Sequence, residues 1–362
     1  MIFLKNILLI VPRLNIGGAE TYVATVALGL KERGFNVFVA SGGGILARSI
    51  AKKGIKHCFL PIRVNAMLAA YLLEKIIKKY RIDVIHANSA AAGIVAVKVK
   101  QKINIPVVYT AHGVFGHNAK EMRINDCDRI ICVSEFVRQY AIKKGFLSEK
   151  LLTVYSGIDL HKFQPNLKKT QVIRKNSNIP EDSFTIAIVS RIKNLRNKGH
   201  ADILSILERY KGAENWHLMV IGKGKGMWSL QYHIWKKHLS NRVHTLGHIV
   251  NVQEVLDGCD AVVLPSMFET FGLVLAEAMA MEKPVITYAV GGTPEVIHDQ
   301  HTGYLVEKDN IGELYEKLAI LASDKTRCYA MGKKGRLWVR DKFSSDVMMD
   351  KVISIYQELL SR

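Results

Sequence analysis

Residues 265–277 read P-S-M-F-E-T-F-G-L-V-L-A-E, and the apolar run Ala261–Leu264 stands directly before them. A short buried strand followed by a turn and a helix is the natural reading. The turn then carries Glu269, the helix begins near Gly272, and Glu277 lies one or two turns inside it. Both carboxylates can face the crevice outside the carboxyl ends of the strands, where doubly wound sheets bind their ligands. The backbone N–H groups of Phe271, Gly272 and Leu273 would start the helix, and a helix start is a ready anion site. A carboxylate there accepts short, charge-assisted hydrogen bonds from sugar or ribose hydroxyls. On spacing alone, a Glu269 that merely caps the helix dipole explains the pattern equally well.

Working outward, strand-length apolar runs alternate with helical patterns along the whole chain, which predicts α/β architecture with parallel sheets covered on both faces. In the first half Ile7–Val11, Asn36–Ala40, His57–Leu60, Val84–His86, Val107–Thr110 and Ile130–Val133 read as strands. In the second half Thr185–Val189, His217–Ile221, Val243–Leu246, Ala261–Leu264 and Val285–Thr287 do so. Between them, Gly157, Pro165 and a polar, basic stretch break the pattern, so two domains are expected, 1–165 and 166–343. A helix over about 344–362 has no strand after it and is free to pack back on the first domain.

Composition narrows the class. The chain has 362 residues, 49% of them hydrophobic and 23% charged, as in ordinary soluble globular proteins. Its 51 Lys+Arg against 32 Asp+Glu give a formal charge of +19, which favours polyanions without choosing among them. Five cysteines with no CxxC pair argue against a disulfide scaffold or a zinc site and point to a reducing cytoplasm. Ile7–Val11 is one strand long and is followed by Arg13, so it reads as a buried strand rather than a signal peptide. No stretch has the ~20 apolar residues needed to span a bilayer. Asp126-Cys127-Asp128 spells the D-x-D that some sugar transferases use to hold a metal, but it directly precedes a strand, and no metal site is expected.

The ordered blocks G-G-A-E at 17–20, D-V-I-H at 83–86, T-A-H-G at 110–113, D-R-I-I-C-V-S at 128–134 and S-G-I-D at 156–159 extend the motif forward in the chain. Behind it follow E-A-M-A at 277–280, P-V-I at 284–286, G-G-T-P-E at 291–295 and G-Y-L-V at 303–306. Together they resemble glycosyltransferase family 4. The resemblance implies the GT-B architecture, two Rossmann-like domains facing each other across a deep cleft, and a retaining, metal-independent transfer from a nucleotide-diphosphate sugar. It further implies that Glu277 holds the ribose and Glu269 the sugar hydroxyls, with the amides of Phe271, Gly272 and Leu273 lining the pocket. Arg191 and Lys198 would grip the diphosphate, His112 would line the reaction centre, and Gly17 and Gly18 would let backbone amides approach the phosphates or the acceptor. Gly222, in the I-G-K-G-K-G turn at 221–226, resembles the family's glycine turn.

The cations also make sense without the family. Cleaving a sugar–phosphate bond leaves negative charge on the departing diphosphate, and positive charge already in place stabilises that transition state most. Arg191 follows a strand end and Lys198 precedes Gly199. The chain departs from the family in R-I-K-N-L-R-N-K-G at 191–199, where extra residues leave Lys193 and Arg196 as rivals of Lys198. Ser190 and Glu282 each stand where the family has glycine.

The same resemblance makes a saccharide or lipid-linked glycan in cell-envelope synthesis the expected acceptor, and uridine the expected base. No cofactor is expected beyond the nucleotide-sugar co-substrate. Helix Met67–Arg81 can place Leu68, Leu72, Leu73, Ile76 and Ile77 on one face with Lys75, Lys78, Lys79 and Arg81 around it. It serves either the core or an anionic membrane, so peripheral contact with the inner face of the cytoplasmic membrane is an expectation. Rival readings are an epimerase or hydrolase of the same architecture and a basic nucleic-acid-binding protein. The first lacks further carboxylates and the second any recognised motif, so no nucleic acid is expected.

Overall fold

The computed structural model describes residues 5–116 and 119–361. The chain forms two compact units, Met1–Gly157 with Ser345–Arg362, and Ile158–Ser344. In the first unit the strands are β1 (Asn6–Ile10), β2 (Asn36–Ser41), β3 (Lys56–Phe59), β4 (Val84–Ala87), β5 (Val107–Ala111), β6 (Arg129–Cys132) and β7 (Leu151–Thr153). They lie in the order β3-β2-β1-β4-β5-β6-β7 and every pairing is parallel. In β1, Ile7 to Ile10 are fully buried, as a central strand covered on both faces requires.

The second unit repeats the plan with β8 (Phe184–Val189), β9 (Trp216–Ile221), β10 (Val243–Gly247), β11 (Ala261–Leu264), β12 (Val285–Tyr288) and β13 (Gly303–Val306). Their order is β10-β9-β8-β11-β12-β13, again wholly parallel. In each sheet the first strand is central and the order reverses beside it, between β1 and β4 and between β8 and β11. This is the doubly wound arrangement of a Rossmann-like domain. Two strands were not anticipated. β7 is a three-residue edge strand, and β13 lies between Gly303 and the polar Glu307-Lys308-Asp309, so neither gives a long apolar run.

The seam falls at Gly157/Ile158, eight residues before the expected 165/166 boundary. The Ile158 amide donates to Phe343 O at 2.8 Å, Arg336 holds Phe163 O at 2.8 Å, and the Asn166 amide donates to Asp257 Oδ1 at 3.0 Å. These bonds tie 158–166 into the second unit, whatever the composition of the stretch suggests. The final helix, Ser345–Leu360, sends Met348, Met349, Val352, Ile355, Tyr356 and Leu359 into the core of the first unit beside Ile7, Val23, Val26 and Leu30.

The helix Ala66–Tyr80 is capped by Asn65, whose side chain accepts from the amides of Met67 and Leu68. It buries Ala69, Ala70, Leu73 and Ile77, whereas Leu68, expected on the apolar face, is exposed. No helix among the described residues is long and apolar enough to cross a membrane.

Of the two replaced glycines, only Glu282 matters to the backbone. It ends the helix Leu273–Ala280 in the left-handed region, at φ 58, while its amide donates to Met279 O and the Lys283 amide to Ala278 O, both at 3.0 Å. This is a Schellman motif with glutamate where glycine is favoured, and the Cβ clash costs roughly 1–2 kcal/mol. Its ion pair with the exposed Lys333 offsets at most about 1 kcal/mol. Glu282→Gly should therefore raise the unfolding temperature of the second unit by a few degrees, about 2–4 °C per kcal/mol gained, in a calorimetric scan. An unchanged or lowered midpoint would show that the left-handed residue carries no net strain.

Candidate active site

The crevice outside the strand ends, beside a reversal of strand order, is where doubly wound sheets bind ligands. In the second unit that place lies after β8 and β11. Arg191 follows the end of β8 by two residues, and Pro265 to Glu269 follow β11. Two backbone contacts clamp these loops together. The Met267 amide donates to Asn197 O at 3.1 Å. Gly199, at φ 74, lies so close to Pro265 that an added Cβ would stand 2.2 Å from its Cγ and 2.4 Å from its carbonyl oxygen.

The clamp brings Lys198 onto Glu269. The lysine Nζ donates to Glu269 Oε1 at 2.5 Å, and the buried Ser266 hydroxyl donates to the same oxygen at 2.9 Å. Both ionic side chains are well covered, 29% and 13% exposed, so solvent screens the pair only in part. From behind, the Gly292 amide donates to Glu269 O at 3.0 Å, and an added Cβ on Gly292 would lie 2.2 Å from Thr270 O. The G-G-T-P-E block thus supports the loop that carries Glu269.

The glycine turn is pressed on the β8 loop. The Ile192 amide donates to Lys223 O at 3.2 Å, and the Gly226 amide to Ile192 O at 2.9 Å. A Cβ on Gly222, at φ 143, would sit 1.8 Å from Ser190 O, so glycine is required there sterically. Arg191 is exposed on this loop, and among the described residues its guanidinium has no hydrogen-bond or ion-pair partner; the side chains of Lys193, Lys223 and Lys225 are likewise exposed and unpartnered. Arg196 instead reaches Asp309 Oδ1 at 3.7 Å. Of the three rival cations, Lys198 is the one on Glu269.

Glu277 sits in the helix Leu273–Ala280, whose start at Gly272, φ 92, has no side-chain cap. Leu273 opens that helix, partly exposed. The Phe271 ring is buried edge-on against Phe343, 5.5 Å between centroids, so any ligand would meet its backbone. Burial pushes the Glu277 carboxyl up to about 7, and the charge of Lys162 opposes that rise. A carboxyl perturbed by desolvation beside a specific charge, with no hydrogen-bond partner among the described residues, is a mark of functional carboxylates.

Sequence reasoning overlooked Lys162 and His200. The imidazole of His200 is buried, its Nε2 lies 3.4 Å from Ser190 Oγ, and its Nδ1 has no partner among the described residues. Burial, and secondarily the Lys198 charge, lower its pKa to about 4, so it is neutral at pH 7. Its only signal in the sequence was its place two residues after Lys198.

The remaining predicted residues belong to the first unit. Gly17 precedes the helix Gly18–Glu32, which has no side-chain cap. Gly17 has ordinary extended backbone, but an added Cβ would lie 2.5 Å from Glu20 Oε2, so its bareness makes room for that carboxylate. His112 follows β5, its Nε2 3.3 Å from Asn88 Oδ1 and its ring edge-on to Tyr22 at 4.8 Å. Burial lowers its pKa to about 3, so the imidazole is neutral. By contrast His86 is consumed by structure, with Tyr356 Oη and Thr110 Oγ1 each at 2.6 Å from a ring nitrogen. Asp128 is occupied too, by Lys100 Nζ at 2.6 Å and the Val107 amide at 2.8 Å.

Comparison with known proteins agrees with this geometry. The family model Glycosyltransferase Family 4 matches residues 16–162, and Glycosyl transferases group 1 matches 169–338. An uncharacterized glycosyltransferase of Methanocaldococcus jannaschii is 26% identical, over 99% of both chains. An Escherichia coli UDP-Gal:alpha-D-GlcNAc-diphosphoundecaprenol alpha-1,3-galactosyltransferase is 24% identical over 82% of this chain and 81% of its own. The crystal structure of Anabaena HepE in complex with UDP and glucose superposes with a TM-score of 0.87, at 20% identity, over 97% of this chain and 99% of that one. Two sheets with the Rossmann strand order, and family models that match one unit each, lead to one conclusion: this chain is a glycosyltransferase of family 4 with the GT-B fold.

Proposed function

We propose that this glycosyltransferase takes a sugar from a nucleotide diphosphate, with UDP the expected carrier, and transfers it with retention and without a metal. The observation that carries the reading is the Lys198–Glu269–Ser266 cluster at the reversal point of the second sheet, on the same β8 loop as Arg191, which has no partner among the described residues. The UDP and glucose bound by the Anabaena protein support the choice of donor. The diphosphoundecaprenol-linked acceptor of the Escherichia coli relative supports a saccharide or lipid-linked acceptor in cell-envelope glycan synthesis.

In this mechanism Arg191 and Lys198 neutralise the diphosphate as the glycosidic bond breaks, which is the task a metal would otherwise perform. Glu269 accepts hydroxyls of the donor sugar, and its ion pair fixes both groups before substrate arrives. Bound twice already, by Lys198 and Ser266, Glu269 is better suited to orient a sugar than to attack it. Front-face attack through an oxocarbenium-like state follows. Glu277 accepts the ribose hydroxyls. The role given to His112, beside the reacting sugar, is that of a neutral hydrogen-bonding group. The first unit holds the acceptor, with Gly17 and Gly18 leaving backbone amides accessible.

A cytoplasmic protein resting on the inner face of the membrane fits the helix Ala66–Tyr80. Met67, Leu68 and Tyr71 are exposed there, the exposed Val64 stands just before the helix, and Lys75 lies over the Tyr71 ring at 4.5 Å. Apolar side chains ringed by lysine suit an anionic bilayer surface.

Lys198→Ala and Arg191→Ala should each lower kcat/KM for the sugar donor roughly 100-fold, or about 3 kcal/mol. Arg196→Ala, which removes only an exposed contact to Asp309, should change it less than about threefold. Equal losses for all three would refute the assignment of the second cation. Activity should persist in excess EDTA, and its abolition there would end the metal-independent reading. Glu277 must be ionised to accept ribose hydroxyls, and its pKa in the free protein is raised to about 7. Nucleotide affinity should therefore weaken about tenfold per pH unit below that value and level off above it. In Glu277→Gln the affinity should be low and independent of pH, as titration calorimetry from pH 5.5 to 8.5 would show.

A further inference from the structure

The helix Met227–Lys236 in the second unit has an outer face that the donor site does not explain. Its inner side is settled, with Leu230 and Ile234 buried against the unit. On its outer side Trp228, Tyr232 and Trp235 are 83%, 52% and 69% exposed. Their i, i+4, i+7 spacing puts all three rings within one narrow stripe, about 10 Å from first to last along the axis. Exposed tryptophans at this spacing cost solubility and contribute nothing to the core, so the stripe is a contact surface.

Its electrostatic surroundings are one-sided. From Asn215 to Gln253 the chain carries Lys223, Lys225, Lys236, Lys237 and Arg242 and no Asp or Glu at all. Lys237 pairs with Glu208 of the neighbouring helix, and Arg242 turns inward to the carbonyl of Ala213 at 2.7 Å. Lys236 lies beside the stripe with its Nζ 5.9 Å from the Tyr232 ring centroid. Lys223 and Lys225 lie on the turn that leads into the helix and are exposed. Amphipathic aromatics interleaved with lysines, on a segment that carries no carboxylate of its own, match the headgroup layer of an anionic bilayer: the rings sit at its polar–apolar boundary and the lysines among its phosphates.

We infer that Trp228, Tyr232 and Trp235 form a docking surface for an anionic lipid bilayer, distinct from the helix Ala66–Tyr80 and belonging to the donor-binding unit. Because the Gly226 amide is bonded to Ile192 O, the first turn of this helix is fixed to the loop that carries Arg191. The surface therefore ties the donor loop itself to the membrane.

The full-length protein is mixed with vesicles of phosphatidylcholine alone or phosphatidylcholine with phosphatidylglycerol, and binding is followed by sedimentation and tryptophan emission. Trp228→Ser/Tyr232→Ser/Trp235→Ser is compared with Met67→Ser/Leu68→Ser/Tyr71→Ser, and thermal unfolding and lipid-free nucleotide binding serve as fold controls. The wild type should bind the anionic vesicles with a blue shift in emission, and added salt should weaken binding. The aromatic triple variant should lose the shift and at least about tenfold in partitioning. Should that variant misfold, Trp235→Ser and Lys236→Gln singly should each show a smaller loss. Wild-type binding without a blue shift, or undiminished binding by the aromatic variants, would overturn the inference and leave the helix Ala66–Tyr80 as the contact. A self-association or a single-stranded oligonucleotide affinity that these variants abolish, with no vesicle binding by the wild type, would overturn it in favour of that partner. A wild type that binds vesicles but no nucleotide sugar sinks the donor reading and leaves this surface standing.

Discussion

Two loops of the second unit can meet only because Gly199 has no side chain. With an added Cβ 2.2 Å from the Pro265 ring, no other residue permits the approach that the Met267–Asn197 backbone bond completes. Everything proposed for the donor site depends on this contact. It sets Lys198 on Glu269 and presents both at the carboxyl ends of β8 and β11. The neighbouring steric demands, Gly222 on Ser190 and Gly292 on Thr270, repeat the device at the other sides of the same site. Glycine is used here for proximity of backbones, and its positive φ at 199 and 222 is a second reason that other residues are excluded.

A partly buried ion pair is weak evidence of stability, since desolvation consumes much of the attraction. The Lys198–Glu269 pair is better understood as preorganisation. In the proposed mechanism it holds a cation and an acceptor in place at a cost met during folding, so that neither would have to reorganise as charge develops on a leaving diphosphate. Glu277 shows the complementary arrangement: with no hydrogen-bond partner among the described residues, burial pushes its carboxyl up to about 7. His112 and His200, both neutral, contribute hydrogen-bonding capacity and no charge to their surroundings.

Much of the fold was legible in the chain because parallel strands covered on both faces are continuous apolar runs, as at Ile7–Ile10 and Ala261–Leu264. What escaped was local and short: β7 at a sheet edge, β13 ahead of polar residues, and a seam set by the hydrogen bonds of Ile158, Phe163 and Asn166 and not by composition. The helical face around Leu68 was misjudged because periodicity marks several apolar positions, while packing chooses among them. Here it chose Ala69, Ala70, Leu73 and Ile77.

The candidate site divides in the same way. Sequence alone determined its glutamates, its glycines and the existence of a basic loop, because motif order along the chain needs no coordinates. It left three cations open, and only tertiary structure gives them different surroundings: Lys198 meets Glu269 across 71 residues, while Arg196 reaches Asp309. It took His86 as structural, as its bonds to Tyr356 and Thr110 bear out, but could not foresee the raised pKa of Glu277. Pairing and desolvation are properties of distances between remote residues, and those distances exist only once the sheets have formed.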